Sequence, residues 1–246
     1  MESERKIALL IDAGNVSPKY IQFIVEEVAN HGILTYKRIY GDWTRPQMGA
    51  WKEVLLEHSI TPVQQYQYTT GKNSTDSALI IDAMDVLYTK GVDGFCIVSS
   101  DSDFTRLAAR LREAGMYVLG MGEKKTPRAF IVACEQFKYL EALSAPVQIE
   151  EEEEPEGEPQ AIDDIGQLTK SLQKIISEIS DEDGWAYMGD LGNMLSKRYP
   201  DFDTRNYGFR KLTSLVSSIK KFEVMSQRTS NPRVTRKYVR NKRKRK

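Results

Sequence analysis

The chain has 246 residues, of which 40% are hydrophobic, and its 35 Lys and Arg residues balance 35 Asp and Glu residues. This length and composition suit one large or two small globular domains. No apolar run approaches the roughly 18 to 20 residues that span a bilayer, and Met1 to Lys6 is too polar for a secretory signal, so we expect a cytoplasmic protein without a membrane partner.

The first 145 residues alternate apolar runs with helical patterns, which predicts an α/β domain. The predicted strands are Lys6 to Ile11, Ile33 to Tyr40, Ile60 to Tyr68, Gly94 to Ser99 and Met116 to Gly120. The predicted helices between them are Pro18 to Asn30, Pro46 to Glu57, Ser74 to Tyr88 and Asp103 to Ala114. Because the strands are nearly continuous in apolar residues, we expect a parallel sheet covered on both faces, with ligands beyond the carboxyl ends of its strands.

Charge is distributed unevenly along the chain. Residues 1–149 carry 16 basic and 18 acidic side chains, residues 150–160 carry 0 and 7, and residues 161–246 carry 19 and 10. The basic excess of the last part indicates a polyanionic partner. The predicted organisation is an α/β domain at 1–145, an acidic disordered linker at 146–160, a second domain at 161–240 and a basic tail at 241–246.

The second domain shows three helical patterns followed by two short strands, which is the outline of a small winged-helix module. These elements are Ile165 to Ile179, Tyr187 to Tyr199, Asn206 to Ile219, Phe222 to Met225 and Val234 to Val239. Residues 233–246 hold nine basic side chains and no acidic one. Such a stretch can contact the phosphates of single-stranded RNA or be attracted to the linker glutamates, and both interpretations remain open.

The chain has two cysteines and two histidines, at Cys96, Cys134, His31 and His58. They lie far apart, without the spacing of a structural zinc site. Cys96 lies within an apolar run and is predicted to fill core space. If a metal binds this protein, carboxylates must hold it.

Five aspartates fall where the predicted sheet would gather them. Asp12, Asp42 and Asp101 follow strands, whereas Asp76 and Asp103 begin helices. In a parallel sheet all five would lie at the carboxyl edge, where their mutual repulsion requires a counterion or raised pKa values. Mg²⁺ or Mn²⁺ is the natural counterion, because hard divalent cations prefer oxygen ligands and can support attack on a phosphodiester.

Each aspartate also has a structural interpretation. Asp103 can cap the helix that follows it, and Asp76 can lie in a first helical turn that favours acidic residues. Asp82 and Asp85 point about 120° and 180° away from Asp76 on a helix that turns by about 100° per residue, so solvation or salt bridges are expected for them.

Four segments in the first domain resemble the NYN domain, a LabA-like relative of the PIN nucleases. They are Ile11 to Asn15 (IDAGN), Tyr40 to Trp43 (YGDW), Gly71 to Asp85 and Val98 to Phe104 (VSSDSDF), in the expected order. The resemblance implies a PIN-like, Rossmann-type α/β fold and a metal-dependent ribonuclease that cuts RNA internally and leaves a 5′-phosphate.

The resemblance also implies roles for individual residues. The aspartates that match the acidic site are Asp12, Asp76, Asp101 and Asp103, which would be both catalytic and metal-binding. Asp42 matches a less uniform position and is included as a further metal ligand. The candidate substrate-binding residues are Asn15, Lys72, Asn73, Ser100, Arg45 and Trp43.

Several of these substrate-binding residues keep a second interpretation. Asn15 can cap a helix, Lys72 can be a solvated loop lysine, and Trp43 can belong to the core instead of stacking on a base. Ser99, next to Ser100, can orient Asp101.

The segment Asp101 to Thr105 also fits the nucleophile loop of haloacid-dehalogenase-type phosphatases, in which the first aspartate attacks phosphorus. That fold needs a lysine and a second acidic motif on later strands of the same sheet. Only about 45 residues remain before the linker, which argues against this alternative.

The last part of the chain resembles the OST-type helix-turn-helix, or LOTUS, domain. The matching residues are Gly184 to Gly192, Leu195, Tyr199 to Asp203, Tyr207, Gly208, Lys211 and Leu212. This resemblance implies RNA binding or, in some members, protein binding. The candidate RNA-binding residues are Lys197, Arg198, Arg210 and Lys211, with Arg205 nearby, although ordinary solvated helix charges are an equal alternative.

The sequence therefore predicts a Mg²⁺- or Mn²⁺-dependent endoribonuclease with a C-terminal module that binds RNA, expected to be single-stranded. The rival hypothesis is a non-catalytic RNA-binding or adaptor protein whose acidic site is a relic or a structural ion site. A third hypothesis is that the NYN domain is chiefly an adaptor that regulates partners and that the C-terminal module binds a protein.

Overall fold

The computed structural model describes residues 4–66, 74–89, 91–144, 165–228 and 235–242. Its contacts divide the chain into two compact units, Met1–Ser144 and Ala145–Lys246. The predicted linker at 146–160 lies outside the described residues, as does the predicted basic tail beyond residue 242. Within the described ranges, no helix is long and apolar enough to cross a membrane.

The described part of the first unit contains a six-stranded sheet in which all neighbouring strands are parallel. The strands are β1 (Lys6–Asp12), β2 (Ile33–Gly41), β3 (Thr61–Gln64), β4 (Gly94–Val98), β5 (Tyr117–Gly122) and β6 (Gln136–Tyr139). Their order is β3-β2-β1-β4-β5-β6, so the strand order reverses between β1 and β4. The predicted parallel α/β fold is confirmed, and the reversal marks where such sheets bind ligands.

Six helices accompany this sheet in the described residues. They are α1 (Ile21–Ala29), α2 (Lys52–Glu57), α3 (Ser74–Thr89), α4 (Thr105–Glu113), α5 (Arg128–Ala133) and α6 (Leu140–Ser144). The predicted helices at Pro18 and Pro46 begin as 3₁₀ turns, Pro18–Tyr20 and Pro46–Trp51. The sequence did not predict β6, α5 or α6.

The strongest strands follow the apolar pattern of the sequence. In β1 every residue from Ile7 to Ile11 is fully buried, and all of β4 is buried, including Cys96, whose predicted place in the core is confirmed. The third strand is shorter than predicted and ends at Gln64. It contains Pro62, which has no backbone N–H, and it lies at the sheet edge, where such a residue is tolerated.

Asp82 attaches α3 to the sheet. Its carboxylate accepts hydrogen bonds from the guanidinium of Arg38 and from the hydroxyl of Tyr40, both on β2. Burial and the neighbouring carboxylate raise the pKa of Tyr40, so its hydroxyl remains a donor. The predicted salt-bridge role of Asp82 is confirmed, and the contact fixes the helix that begins beside Asp76.

The second unit combines helices with an antiparallel sheet. Its helices are α7 (Ile165–Ile179), α8 (Met188–Arg198) and α9 (Leu212–Ser218), and its strands are β7 (Ala186–Tyr187), β8 (Phe222–Arg228) and β9 (Thr235–Asn241). The strand order is β7-β9-β8. Leu172, Leu191, Leu195, Leu215 and Val239 belong to a core cluster of this unit.

Two sequence predictions in this unit are wrong. The helix expected from Asn206 to Ile219 is a 3₁₀ turn, Thr204–Tyr207, followed by α9, because Gly208 adopts a left-handed conformation with φ of 81° that interrupts it. Tyr187, expected to begin a helix, belongs to β7 instead.

Candidate metal and nucleic-acid site

The carboxyl edge of the parallel sheet carries the predicted acidic residues at the point where strand order reverses. Asp12 is the last residue of β1. The loop after β4 begins at Ser99 and includes Asp101, and β1 and β4 are direct neighbours, with Ile11 opposite Val98. Two segments that lie about 90 residues apart in sequence therefore end side by side.

Three aspartates converge at this edge. One carboxylate oxygen from each of Asp76, Asp101 and Asp103 lies within 4.8 Å of the other two. Asp76 enters from the first turn of α3, whereas Asp101 and Asp103 come from the loop after β4. The side chains are therefore supplied by two separate connections of the sheet. We refer to these three residues as the carboxylate triad.

Burial and neighbouring like charges act together on Asp76, one member of the carboxylate triad. Asp76 is only 9% exposed, and burial raises its pKa to about 6, together with the negative charges of Asp12, Asp101 and Asp103. A carboxylate surrounded in this way gains stability from a bound cation, which offsets the repulsion.

Asp12 lies beside the carboxylate triad but is held by its own hydrogen bonds. It is 1% exposed, and its carboxylate accepts bonds from Asn15 Nδ2 at 2.6 Å, Ser99 Oγ at 3.0 Å and the Gly14 backbone N–H at 3.0 Å. Burial raises the pKa of Asp12, and these three bonds oppose the rise. Asn15, predicted to bond a carboxylate or a phosphate, thus bonds a carboxylate.

Two serines fix the loop after β4. Ser99 Oγ donates to Asp12 and accepts from the Asp101 backbone N–H at 3.1 Å, so one hydroxyl links two of the acidic residues. Ser100 Oγ accepts from the backbone N–H of Glu123 at 2.9 Å, just after β5. These contacts hold the loop from both sides.

The capping interpretation of Asp103 is wrong, because Asp101 occupies the capping position. The Asp101 carboxylate accepts the Asp103 backbone N–H at 2.9 Å and precedes the 3₁₀ turn Ser102–Phe104. Asp101 therefore combines a capping role with membership of the triad, and Asp103 presents its carboxylate from within that turn.

Sequence reasoning missed Gly122, the last residue of β5. A Cβ atom at this position would lie 2.5 Å from Thr126 Oγ1 and 2.6 Å from the Ser99 carbonyl oxygen. Only glycine permits the end of β5 to approach the loop that carries Asp101 this closely. The available signal was a glycine at the end of an apolar strand, which often marks a close backbone approach.

Asp42 lies in the loop after β2 and is not one of the three residues whose oxygens converge. Its carboxylate accepts from Thr44 Oγ1 at 2.6 Å and Gln64 Nε2 at 3.0 Å, and it pairs with Arg45. These contacts lower the pKa of Asp42 to about 2. Its role as a metal ligand remains a prediction.

A family model of the NYN domain matches residues 6–141, which is more than half of the chain. The chain belongs to the NYN family. A second family model, the OST-HTH/LOTUS domain, matches residues 164–234, so the predicted succession of these two domains is confirmed. The NYN domain belongs to a nuclease superfamily, and an OST-HTH/LOTUS domain implies RNA binding.

Two solved structures are similar to this NYN and OST-HTH protein. A protein of unknown function from Vibrio parahaemolyticus shares 21% identity over 56% of this chain and 93% of its own, with a TM-score of 0.48. An uncharacterized protein from Nitrosomonas europaea shares 28% identity over 42% of this chain and 93% of its own, with a TM-score of 0.30. No significant match was found among curated proteins.

Trp43 and Arg45 of the NYN domain border an apolar groove of about 540 Å³. The indole N–H of Trp43 donates to the Val63 carbonyl oxygen at 2.9 Å, so the ring is fixed against β3. Met48, Lys52 and the exposed Leu56 also line the groove. The predicted residues Lys72 and Asn73 lie outside the described residues.

The predicted basic residues of the OST-HTH domain lie at two places. Lys197 and Arg198 are in the last turn of α8, and Arg210 and Lys211 immediately precede α9; all four side chains are exposed. Arg198 forms a salt bridge with Glu178 of α7. Their role in RNA binding remains a prediction.

Proposed function

We propose that this protein is a metal-dependent ribonuclease, an endoribonuclease whose NYN domain hydrolyses RNA phosphodiester bonds. The observation that carries the proposal is the convergence of Asp76, Asp101 and Asp103 within 4.8 Å where the strand order of the sheet reverses. Membership of a nuclease superfamily points to the same chemistry.

The donor set of the carboxylate triad fits Mg²⁺ or Mn²⁺. All three donors are carboxylate oxygens, which hard divalent cations prefer. Burial, and after it the negative charges of Asp12, Asp101 and Asp103, raise the pKa of Asp76, and a bound cation would favour its charged form. When bound, the ion would activate water for attack on phosphorus and offset charge on the phosphate.

The residues of the chain have distinct proposed roles. Asp76, Asp101 and Asp103 hold the ion. Asp12, fixed by Asn15 and Ser99, is the fourth catalytic carboxylate and adds to the negative field at the site. Asp42 is a candidate for a further metal contact from the loop after β2.

The proposed substrate is single-stranded RNA, and each domain has its own candidate contacts to it. In the NYN domain, Trp43 would stack on a base and Arg45 would meet a phosphate, and Ser100, Lys72 and Asn73 are further candidate contacts to the RNA. In the OST-HTH domain, which we propose to be a winged helix, the phosphate contacts would come from Lys197, Arg198, Arg210 and Lys211.

We also propose a cytoplasmic setting for this activity. Both Cys96 and Cys134 are free thiols buried in the NYN domain. Free thiols are the usual state of cysteine in a reducing compartment.

The decisive experiment compares two aspartate variants. Asp101→Asn removes one carboxylate of the triad, and Asp85→Asn removes an exposed carboxylate from α3. With Mg²⁺ or Mn²⁺, the wild type and Asp85→Asn are expected to cleave unstructured RNA, whereas Asp101→Asn and chelator-treated protein are not.

The fold of Asp101→Asn is checked by its thermal unfolding, because Asp101 also caps the 3₁₀ turn. Undiminished cleavage by a folded Asp101→Asn protein would overturn the assignment. Absence of cleavage by the wild type with either metal would favour the rival function, an RNA-binding or adaptor protein. Parallel assays on DNA establish whether the activity is confined to RNA.

A further inference from the structure

The antiparallel sheet of the OST-HTH domain carries a row of large side chains across its three strands. Tyr238 of β9 lies opposite Tyr187 of β7 on one side and opposite Met225 of β8 on the other. Side chains that are directly opposite each other share one face of a sheet. The next row, which includes Ala186 and Val239, is buried in the core. The row centred on Tyr238 therefore faces away from the core.

This outward row exposes apolar surface. Tyr187 is 41% exposed and Met225 is 39% exposed. The rings of Tyr187 and Tyr238 lie 5.8 Å apart between centroids, with an interplanar angle of 56°. The outer face of an antiparallel sheet in water is normally polar, so the exposed Tyr187 and Met225 on either side of the half-buried Tyr238 indicate a binding surface.

Two arginines flank the row on the same strand. Arg236 and Arg240 lie two residues before and after Tyr238, so they share its face of β9. The guanidinium of Arg240 lies 4.5 Å from the ring centroid of Trp185 and pairs with Glu223 at 2.8 Å. Arg236 is exposed. We call Tyr187, Met225, Arg236, Tyr238 and Arg240 the aromatic face.

The position of one ring depends on a glycine in the neighbouring helix. A Cβ atom at Gly189 of α8 would lie 2.5 Å from Cε1 of Tyr187. Any larger residue at this position would displace the ring of Tyr187. The ring of Tyr187 therefore packs closely against Gly189 of α8.

The charge along β8 and β9 favours a polyanion over a protein of neutral surface. The described residues 220–228 and 235–242, which include both strands, contain seven Lys and Arg residues and one acidic residue, Glu223. Aromatic rings beside arginines suit unpaired bases, because bases stack on aromatic side chains while cations meet the phosphates. The bases of a duplex are already stacked on one another and are not available to such a surface.

We propose that the aromatic face binds the bases of single-stranded RNA. This inference rests on the proposed function in taking RNA as the substrate, and it identifies the surface of the OST-HTH domain that receives it. The aromatic face is distinct from the candidate RNA-binding residues named above, which are Lys197, Arg198, Arg210 and Lys211. Those long, flexible cations can contact phosphates but provide no ring for stacking.

The test measures RNA binding by the full-length chain in the presence of a chelator, so that cleavage cannot occur. The probe is a short fluorescent single-stranded RNA, and its duplex form serves as a second probe. Tyr187→Ala and Tyr238→Ala are expected to weaken single-strand binding about 5- to 150-fold, the effect of losing one stacked base. Tyr238→Phe keeps the ring and is expected to retain most of the affinity.

Tyr88→Ala is the matched control, because Tyr88 of α3 is 70% exposed and lies in the NYN domain. It is expected to bind single-stranded RNA as the wild type does. If Tyr238→Ala does not fold, as judged by thermal unfolding, the decision rests on Tyr187→Ala, which removes a more exposed ring.

Unchanged single-strand affinity in the folded alanine variants would overturn the inference and leave the face to a protein partner. The inference would also be overturned if Tyr238→Phe lost as much affinity as Tyr238→Ala, or if the alanine variants lost as much affinity for the duplex probe as for the single strand. Neither result fits base stacking. Cleavage is assayed separately with Mn²⁺. A wild type that does not cleave but binds RNA through these tyrosines would refute the nuclease proposal and support the aromatic face.

Discussion

The carboxylate triad and the aromatic face are built in opposite ways. The triad gathers acidic side chains at the ends of strands, from connections that are distant in sequence, because parallel strands all end at one edge. The aromatic face instead lies across the middle of an antiparallel sheet, where register sets Tyr187, Tyr238 and Met225 in one row. Strand ends thus concentrate charge, whereas a strand row provides a flat surface.

Each region departs from a general rule of globular proteins. Asp12 and Asp76 are buried carboxylates with raised pKa values, although buried charges are normally paired. Tyr187 and Met225 are exposed where polar side chains are usual. Departures of this kind are expected at functional sites. We propose that the carboxylate triad carries out the chemical step and that the aromatic face binds the substrate.

The largest expected difference between the carboxylate triad and the aromatic face is in the rate of RNA cleavage. Asp76→Asn replaces a carboxylate that we propose holds the metal, so kcat for RNA cleavage is expected to fall at least about 100-fold. RNA affinity measured in chelator is not expected to weaken, because removing a negative charge cannot reduce attraction to a polyanion. Single-turnover cleavage and fluorescence anisotropy measure the two quantities.

Asp85→Asn is the matched control for this variant, because it removes a carboxylate from the same helix at an exposed position. It is expected to cleave as the wild type does. A loss of affinity in Asp76→Asn that matched its loss of turnover would contradict the separation of chemistry from binding.

Metal binding should stabilise only the domain that contains the triad. At a Mn²⁺ concentration 100-fold above Kd, the transition of the NYN domain is expected to rise by about 5 °C or more in thermal unfolding. Asp103→Asn is expected to lose most of this rise, because one of the three oxygen donors is gone. Tyr238→Ala is the control, and it should retain the rise. A rise that persists in Asp103→Asn would place the ion elsewhere.

Much of the NYN domain could be predicted from its sequence because its signals are local. The strands β1 and β4 contain continuous apolar runs. Asp12 ends β1, and Asp101 and Asp103 lie in the connection after β4. The order of the parallel strands could not be predicted from those runs. The position of the aspartates could still be predicted, because the carboxyl ends of parallel strands lie at one edge of the sheet whatever their order. In contrast, β6 has only four residues with alternating burial and was missed.

The aromatic face was not predicted because it depends on pairing between distant segments. Tyr187 and Tyr238 lie about 50 residues apart, and β7 is a two-residue strand within a helical pattern. Only the register of β9 with both neighbours brings these rings together. The hydrogen bonds that fix Asp42 were hidden for the same reason, since Gln64 comes from β3.

The salt dependence of RNA binding distinguishes stacking from phosphate contacts on the aromatic face. Arg236→Gln is expected to reduce the slope of log affinity against log salt by about 0.7, the contribution of one phosphate contact on a single strand. Tyr187→Ala should lower affinity at every salt concentration without changing that slope. Titrations over a range of salt concentrations measure both. A changed slope in Tyr187→Ala would contradict a stacking role.

The smallest expected effect comes from Gly189→Ala, which substitutes no residue of the aromatic face but displaces the ring of Tyr187. Single-strand affinity is expected to fall about 3-fold, less than in Tyr187→Ala, because the shifted ring retains part of its stacking. Gly192→Ala is the matched control within α8, since its Cβ would lie 3.4 Å from Leu212 Cδ2, an ordinary contact. Because both substitutions favour the helix equally, a loss confined to Gly189→Ala would trace RNA affinity to the position of one ring, and equal affinities in the two variants would contradict that origin.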